Sequence, residues 1–167
     1  MTRVYTKIGD VFSVELDYGS KKYFQLIAYD KTQLNSDVIR AFKTVYPCGF
    51  KPDLLDIVND DIDFYAHCVT KFGVKMNLWE KLGNTVEVGD FSKILFRDTS
   101  DYGAQIGEEV IKLSHNWYIW HINEEFIDVG NLEGENRKAE IGIIVNPYNI
   151  VNRIKTGCYD FIYPQFE

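Results

Sequence analysis

The clearest pattern along this chain is alternation. In "DIDFYAHCVT", Ile62, Phe64, Ala66 and Cys68 fall on one face of an extended backbone, and Asp61, Asp63, Tyr65 and His67 fall on the other. That spacing predicts a half-buried strand in an antiparallel sheet. The stretch "KIGDVFSVELDYGSKKYFQLIAYD" predicts a hairpin. Val11 to Leu16 is rich in β-formers, Asp17 to Ser20 supplies turn residues, and Tyr23 to Tyr29 returns. In "SDVIRAFKTVYP" the apolar positions Val38, Ile39, Phe42, Val45 and Tyr46 have helical spacing, but their β-branched and aromatic types favour a strand.

Helical signals are fewer. "PDLLDIVND" predicts a short helix that Pro52 can start, with Asp53 near the positive end of the dipole and Leu54, Leu55 and Val58 on one side. "NPYNIVNRIKTG" carries the strongest helix signal. Asn146 can cap it, Pro147 fits the first turn, Ile150, Val151 and Ile154 form the stripe, and Gly157 ends it. Gly73 and "LWEKLGN" interrupt the pattern ahead of a short strand at Lys93 to Phe96. "DTSDYGAQIGEE" reads as a polar loop, and "IGIIVNP" as a strand buried on both faces. Neither a linker nor a repeat divides the sequence. The expectation is one α+β domain over 1–167, predominantly antiparallel sheet with a few short helices.

Composition strengthens the sheet reading: 11 Tyr, 11 Phe and 3 Trp in 167 residues supply rings that pack well on pleated surfaces. Charge narrows the partners. With 25 acidic against 18 basic residues the formal net charge is −7, which disfavours direct nucleic-acid binding and speeds encounter with a basic protein. Cys48, Cys68 and Cys158 are far apart and form no C-x-x-C, so free thiols in a reducing cytosol are expected. "MTRVYTKIGDVF" lacks the apolar run of a signal peptide, and no segment has the apolar length of a membrane span. A cytoplasmic protein is the expectation.

The densest group of chemically useful side chains is "SHNWYIWHINEEF". As a strand it places His115, Trp117, Ile119 and His121 on one face and Asn116, Tyr118, Trp120 and Ile122 on the other. The two histidines then lie about 20 Å apart at roughly 3.3 Å per residue, too far to share a metal ion. A strand covered on both faces, with a histidine near each end, is therefore expected rather than a metal or catalytic site. Cys68 follows His67 directly, so the two face opposite sides and cannot act as nucleophile and base on each other. Phosphate-loop and nucleophile-elbow motifs are absent. No catalytic residue, metal or cofactor is expected.

The most informative feature is negative charge. Between Asp53 and Asp63 stand five aspartates (Asp53, Asp56, Asp60, Asp61 and Asp63) and no lysine or arginine. "EEFIDVGNLEGENRKAE" holds six acids against Arg137 and Lys138. Each run reads either as a solvated surface or as a docking face for a cationic partner.

The pieces "KIGDVFSVEL", "KKYFQLIAYD", "DVIRAFKTVYP", "PDLLDIVND" and "LWEKLGN" follow one another in an order that resembles bacterial immunity proteins of polymorphic-toxin systems, of the Imm26 type. The resemblance covers roughly the first half of the chain. It implies a protein that binds and neutralises a cognate toxin, such as a nuclease with a basic cleft, without chemistry of its own. On that reading Asp53, Asp56, Asp60, Asp61 and Asp63 form the docking face, with Tyr65 as an exposed aromatic anchor. Two alternatives stay open: a small-ligand binder or enzyme whose site is assembled from distant strands, and a structural protein that self-associates.

Overall fold

The computed structural model describes residues 3–101 and 106–167. The first sheet is built from β1 (Asp10–Glu15), β2 (Ser20–Asp30), β3 (Ser36–Phe42), β4 (Tyr46–Pro47), β5 (Ile62–Cys68) and β6 (Glu80–Asn84). Its strands run in the order β5-β3-β2-β1-β6, and β4 pairs with β2. Every pairing in this sheet is antiparallel. Helices α1 (Leu54–Val58) and α2 (Thr70–Lys75) flank β5 in the chain. The second sheet has β7 (Leu95–Thr99), β8 (Trp117–His121), β9 (Ile127–Gly130) and β10 (Glu140–Ile141) in the order β10-β7-β8-β9. A 3₁₀ turn spans Gly134–Lys138, and α3 (Pro147–Thr156) follows β10. The protein is α+β, with antiparallel pairing dominant.

The hairpin forms as its sequence predicts, and Tyr18 and Gly19 carry the left-handed backbone of its turn at φ +66° and +73°. Register then places whole rows of side chains together. Phe12, Phe24, Ala41 and Phe64 sit opposite one another across β1, β2, β3 and β5, and Leu26, Ile39 and Ala66 form the next row. This apolar face is covered by Trp79, Val145 and the Ile150 and Ile154 stripe of α3. Trp79 lies directly on the backbone of α2. A Cβ at Gly73 would stand 2.0 Å from its ring, and its indole N–H donates to the Thr70 carbonyl at 2.8 Å.

The opposite face of the first sheet is shared. At one end α1 buries Ile57 and Val58 on Val11, Tyr23 and Phe42. At the other, Ile27, Ala28 and Val38 pack on Phe96 and Trp120 of the second sheet. Between them runs a polar row: the Arg40 guanidinium donates to the Gln25 side-chain carbonyl at 2.9 Å and to the Glu87 carbonyl at 3.0 Å.

Several elements depart from the sequence reading, and Gly73, read as an interruption, lies inside α2. "EKLGN", read as an interruption, is strand β6, an edge strand recruited by pairing with β1 despite its polar, largely exposed side chains. The strand read at Lys93 to Phe96 runs instead over Leu95–Thr99. "IGIIVNP" is not a strand buried on both faces. Only Glu140 and Ile141 pair with β7, Ile144 is 47% exposed, and the segment crosses from one sheet to the other. The Gly142 N–H donates to Arg97 of the second sheet and the Val145 N–H to His67 of the first. The loop expected over 98–109 begins inside β7 and lies partly outside the described residues.

Candidate functional site

α1 is only five residues long, and its burial is one-sided. Ile57 and Val58 face the sheet, leaving Leu55 and Asp56 outward. Asp53 occupies the N-cap position, but its carboxylate accepts no capping hydrogen bond and stays exposed. Asp61 is likewise exposed. The other two acids are engaged. Asp60 accepts from the backbone N–H groups of Thr44 and Asp61, both at 2.7 Å, and so ties the end of β3 to the start of β5. Asp63 pairs with Lys22 at 3.5 Å. Among the described residues, Asp53, Asp56, Asp60 and Asp61 have no cation within ion-pair distance. Their field reaches Tyr46, whose phenol is shifted up by burial and then by Asp60 and Asp56.

Tyr65 is not the exposed anchor expected of it. It lies opposite Arg40 in the β3–β5 register, packs half-buried against the inter-sheet cluster, and has its pKa raised by burial. The aromatic neighbour of the acidic face is instead Phe50, 54% exposed and stacked on Tyr46 at 5.9 Å between centroids. Leu55 is also 54% exposed. Sequence reasoning passed over Phe50. The available signal was a ring set among turn residues in "YPCGF", where no strand or helix face claims it.

The second acidic run does not form one surface. It is divided among β9, the 3₁₀ turn and β10, Glu135 pairs with Lys138, and Glu140 pairs with Arg153.

The alternating pattern placed His67 on the polar face of β5, yet it is fully buried, because the second sheet covers that end of the strand. Its Nε2 lies 3.0 Å from the Asp30 carboxylate. Asp30, also fully buried, accepts three further bonds: from the Trp120 indole at 3.0 Å and from the backbone N–H groups of Asn123 and Gln33 at 3.1 and 3.2 Å. His67 rests against Phe96, with ring centroids 4.2 Å apart. An aspartate that orients a histidine is half of a nucleophilic triad. Here the second ring nitrogen is buried without a hydrogen-bond partner among the described residues, and neighbouring Cys68 points into the opposite core, where burial pushes its thiol pKa well up. The arrangement is a tie between sheets.

Burial alone would raise the Asp30 carboxyl pKa. The bonds from His67, Asn123, Trp120 and Gln33 outweigh it and hold the group below the ordinary aspartate value of 3.8. The carboxylate's contribution to stability is thus complete above that value and is lost as pH falls through the lower folded-state pKa. Urea unfolding midpoints are expected to fall steeply below about pH 4, and to fall less steeply in Asp30→Asn, where this proton uptake is missing.

The histidines of "SHNWYIWHINEEF" sit where a covered strand leaves them. His115 precedes β8 and bonds Asn131 at 2.8 Å; His121 ends it and donates to the Ile94 carbonyl at 2.9 Å. Trp117 and Trp120 are buried on opposite faces. Among the described residues no group of three or more His, Cys, Asp or Glu is placed to hold a metal ion, and no helix is long and apolar enough to cross a membrane.

No family model, no curated protein and no solved structure matches this chain.

Proposed function

We propose that this protein binds and neutralises a cognate bacterial toxin, with the α1 face as the docking surface. The observation that carries the reading is the pairing of Asp53, Asp56 and Asp61, exposed and without a cation, with the exposed apolar side chains of Phe50 and Leu55. Uncompensated carboxylates steer a basic surface towards them, and a nearby ring and aliphatic chain supply area to bury once contact is made. A nuclease cleft has that chemistry, because a site that holds a polyanion is basic. The order of elements that resembles toxin-immunity proteins points the same way.

The test is protection. A secreted protein with a C-terminal toxin domain is expected to be encoded beside this gene, and cells making that domain should survive when this protein is co-expressed. The triple variant Asp53→Lys, Asp56→Lys, Asp61→Lys removes no carboxylate that accepts a hydrogen bond or pairs with a cation among the described residues, so its unfolding free energy should stay within about 1 kcal/mol of the parent's. Its affinity should drop at least about 100-fold, with loss of protection. Full protection by the variant would remove this face from the interface.

A further inference from the structure

One face of the second sheet is closed by the chain that follows α3. Trp117, Ile119 and Leu132 pack there with Tyr163, Phe161 and Phe166. Between this segment and the sheet lies a cavity of about 370 Å³, lined by Arg97, Ile141, Tyr159, Phe161, Ile162 and Tyr163 among others. That volume lies within the range of small-molecule sites, and three of its eight lining residues carry aromatic rings: Tyr159, Phe161 and Tyr163.

Two arginines on this side of the molecule make an informative contrast. Arg153 forms a two-pronged ion pair with Glu140, at 3.0 and 3.3 Å, and lies over the Phe64 and Tyr159 rings. Arg97 is held just as firmly but has no such partner. Its guanidinium lies over Trp117 and Phe166, 5.6 and 5.1 Å from their centroids, and one amine donates to the Ala139 carbonyl. Its Nε is buried with no hydrogen-bond partner, and no carboxylate lies within ion-pair distance of it among the described residues. Glu140 and Asp98 favour its charge from beyond ion-pair distance, and the buried Nε keeps an unused donor whose burial is costly until an acceptor completes it. The Tyr159 hydroxyl beside the cavity stays protonated at neutral pH, its pKa pushed up to about 12 by burial, and so adds no competing negative charge.

We infer that this cavity is a binding site for a small aryl oxyanion, its carboxylate or phosphate on Arg97 and its ring against Tyr159, Phe161 and Tyr163. Guanidinium forks recognise both anions, so the anionic group and the flat apolar body define the class. The site lies on the second sheet, away from α1, and stands or falls separately from the toxin-binding reading.

The test is a titration of the intact protein with benzoate, phenyl phosphate and inorganic phosphate, following the Arg97 Nε–H resonance by NMR. At least one aryl anion should shift it saturably with a Kd at or below about 1 mM, and phenyl phosphate or benzoate should bind at least about 10-fold more tightly than inorganic phosphate. The stronger of the two identifies the anionic group. Arg97→Gln removes the fork. Ile162→Glu sets a carboxylate at the rim on a side chain that is 76% exposed, so it leaves the fold intact. Calorimetric titration of both should show binding weakened at least about 10-fold. Absence of saturable binding by either aryl anion, an equal response to inorganic phosphate, or parental affinity in a folded variant would overturn the assignment.

Discussion

Asp30→Ala is expected to remove about 3–5 kcal/mol of unfolding free energy. The reason is the number of donors that converge on one carboxylate. Without it, the His67 ring, the Trp120 indole and the N–H groups of Asn123 and Gln33 are left facing an apolar interior. Each buried donor without an acceptor costs about 1–3 kcal/mol, reduced where water enters the space vacated. Trp120→Phe keeps the carboxylate and removes only one donor and part of a ring, so it should cost less than Asp30→Ala. Urea unfolding followed by tryptophan fluorescence and by far-UV circular dichroism gives both values. A loss below about 1 kcal/mol for Asp30→Ala would show that the two sheets do not depend on this tie.

The second large effect is expected at Gly142. Here the crossing chain passes so close to Trp120 that a Cβ would stand 2.2 Å from its Cη2 and 3.0 Å from the Arg97 carbonyl oxygen. Trp120 has little room to retreat. Its N–H is bonded to Asp30, and its ring stacks on Tyr118 at 5.8 Å. Gly142→Ala should therefore reach the upper end of the usual overpacking range, about 3 kcal/mol. Gly49→Ala is the matched control. No atom lies within 4 Å of its Cβ position and its φ is not positive, so a change within about 0.5 kcal/mol is expected. If Gly142→Ala proves as mild as Gly49→Ala, the close approach of chain and ring is not a constraint on the fold.

These two sites also mark where sequence reading stops. The β1–β2 hairpin, β3, β8 and α3 were legible because each is specified locally. In α3 the Asn146 side chain accepts the Tyr148 N–H at 2.8 Å, and Gly157 closes the helix at φ +86°. The tie is specified by partners 37 and 90 residues apart, and no local pattern announces such a pairing. His67 therefore read as a solvent-facing position on an alternating strand, because alternation reports two faces and not what covers them. Strand β6 was missed for a related reason: its pairing is imposed by β1, and its own residues are poor β-formers.

The acidic surface was half legible. The identities of the five aspartates were plain, but their availability was not. Asp60 holds the Thr44 backbone and Asp63 holds Lys22, which leaves Asp53, Asp56 and Asp61 as the carboxylates that a partner meets unengaged. Substituting Asp60 would thus confuse folding with binding, and the three others avoid that difficulty.

Steering by charge has a kinetic signature that shape complementarity lacks. The decisive measurement is the association rate constant with the neighbouring-gene toxin, taken by stopped flow between low and physiological ionic strength. The parent protein should associate at least about 10-fold faster at low salt, and Asp53→Lys/Asp56→Lys/Asp61→Lys should lose most of that gain. An association rate indifferent both to salt and to these three charges would contradict docking through the α1 face.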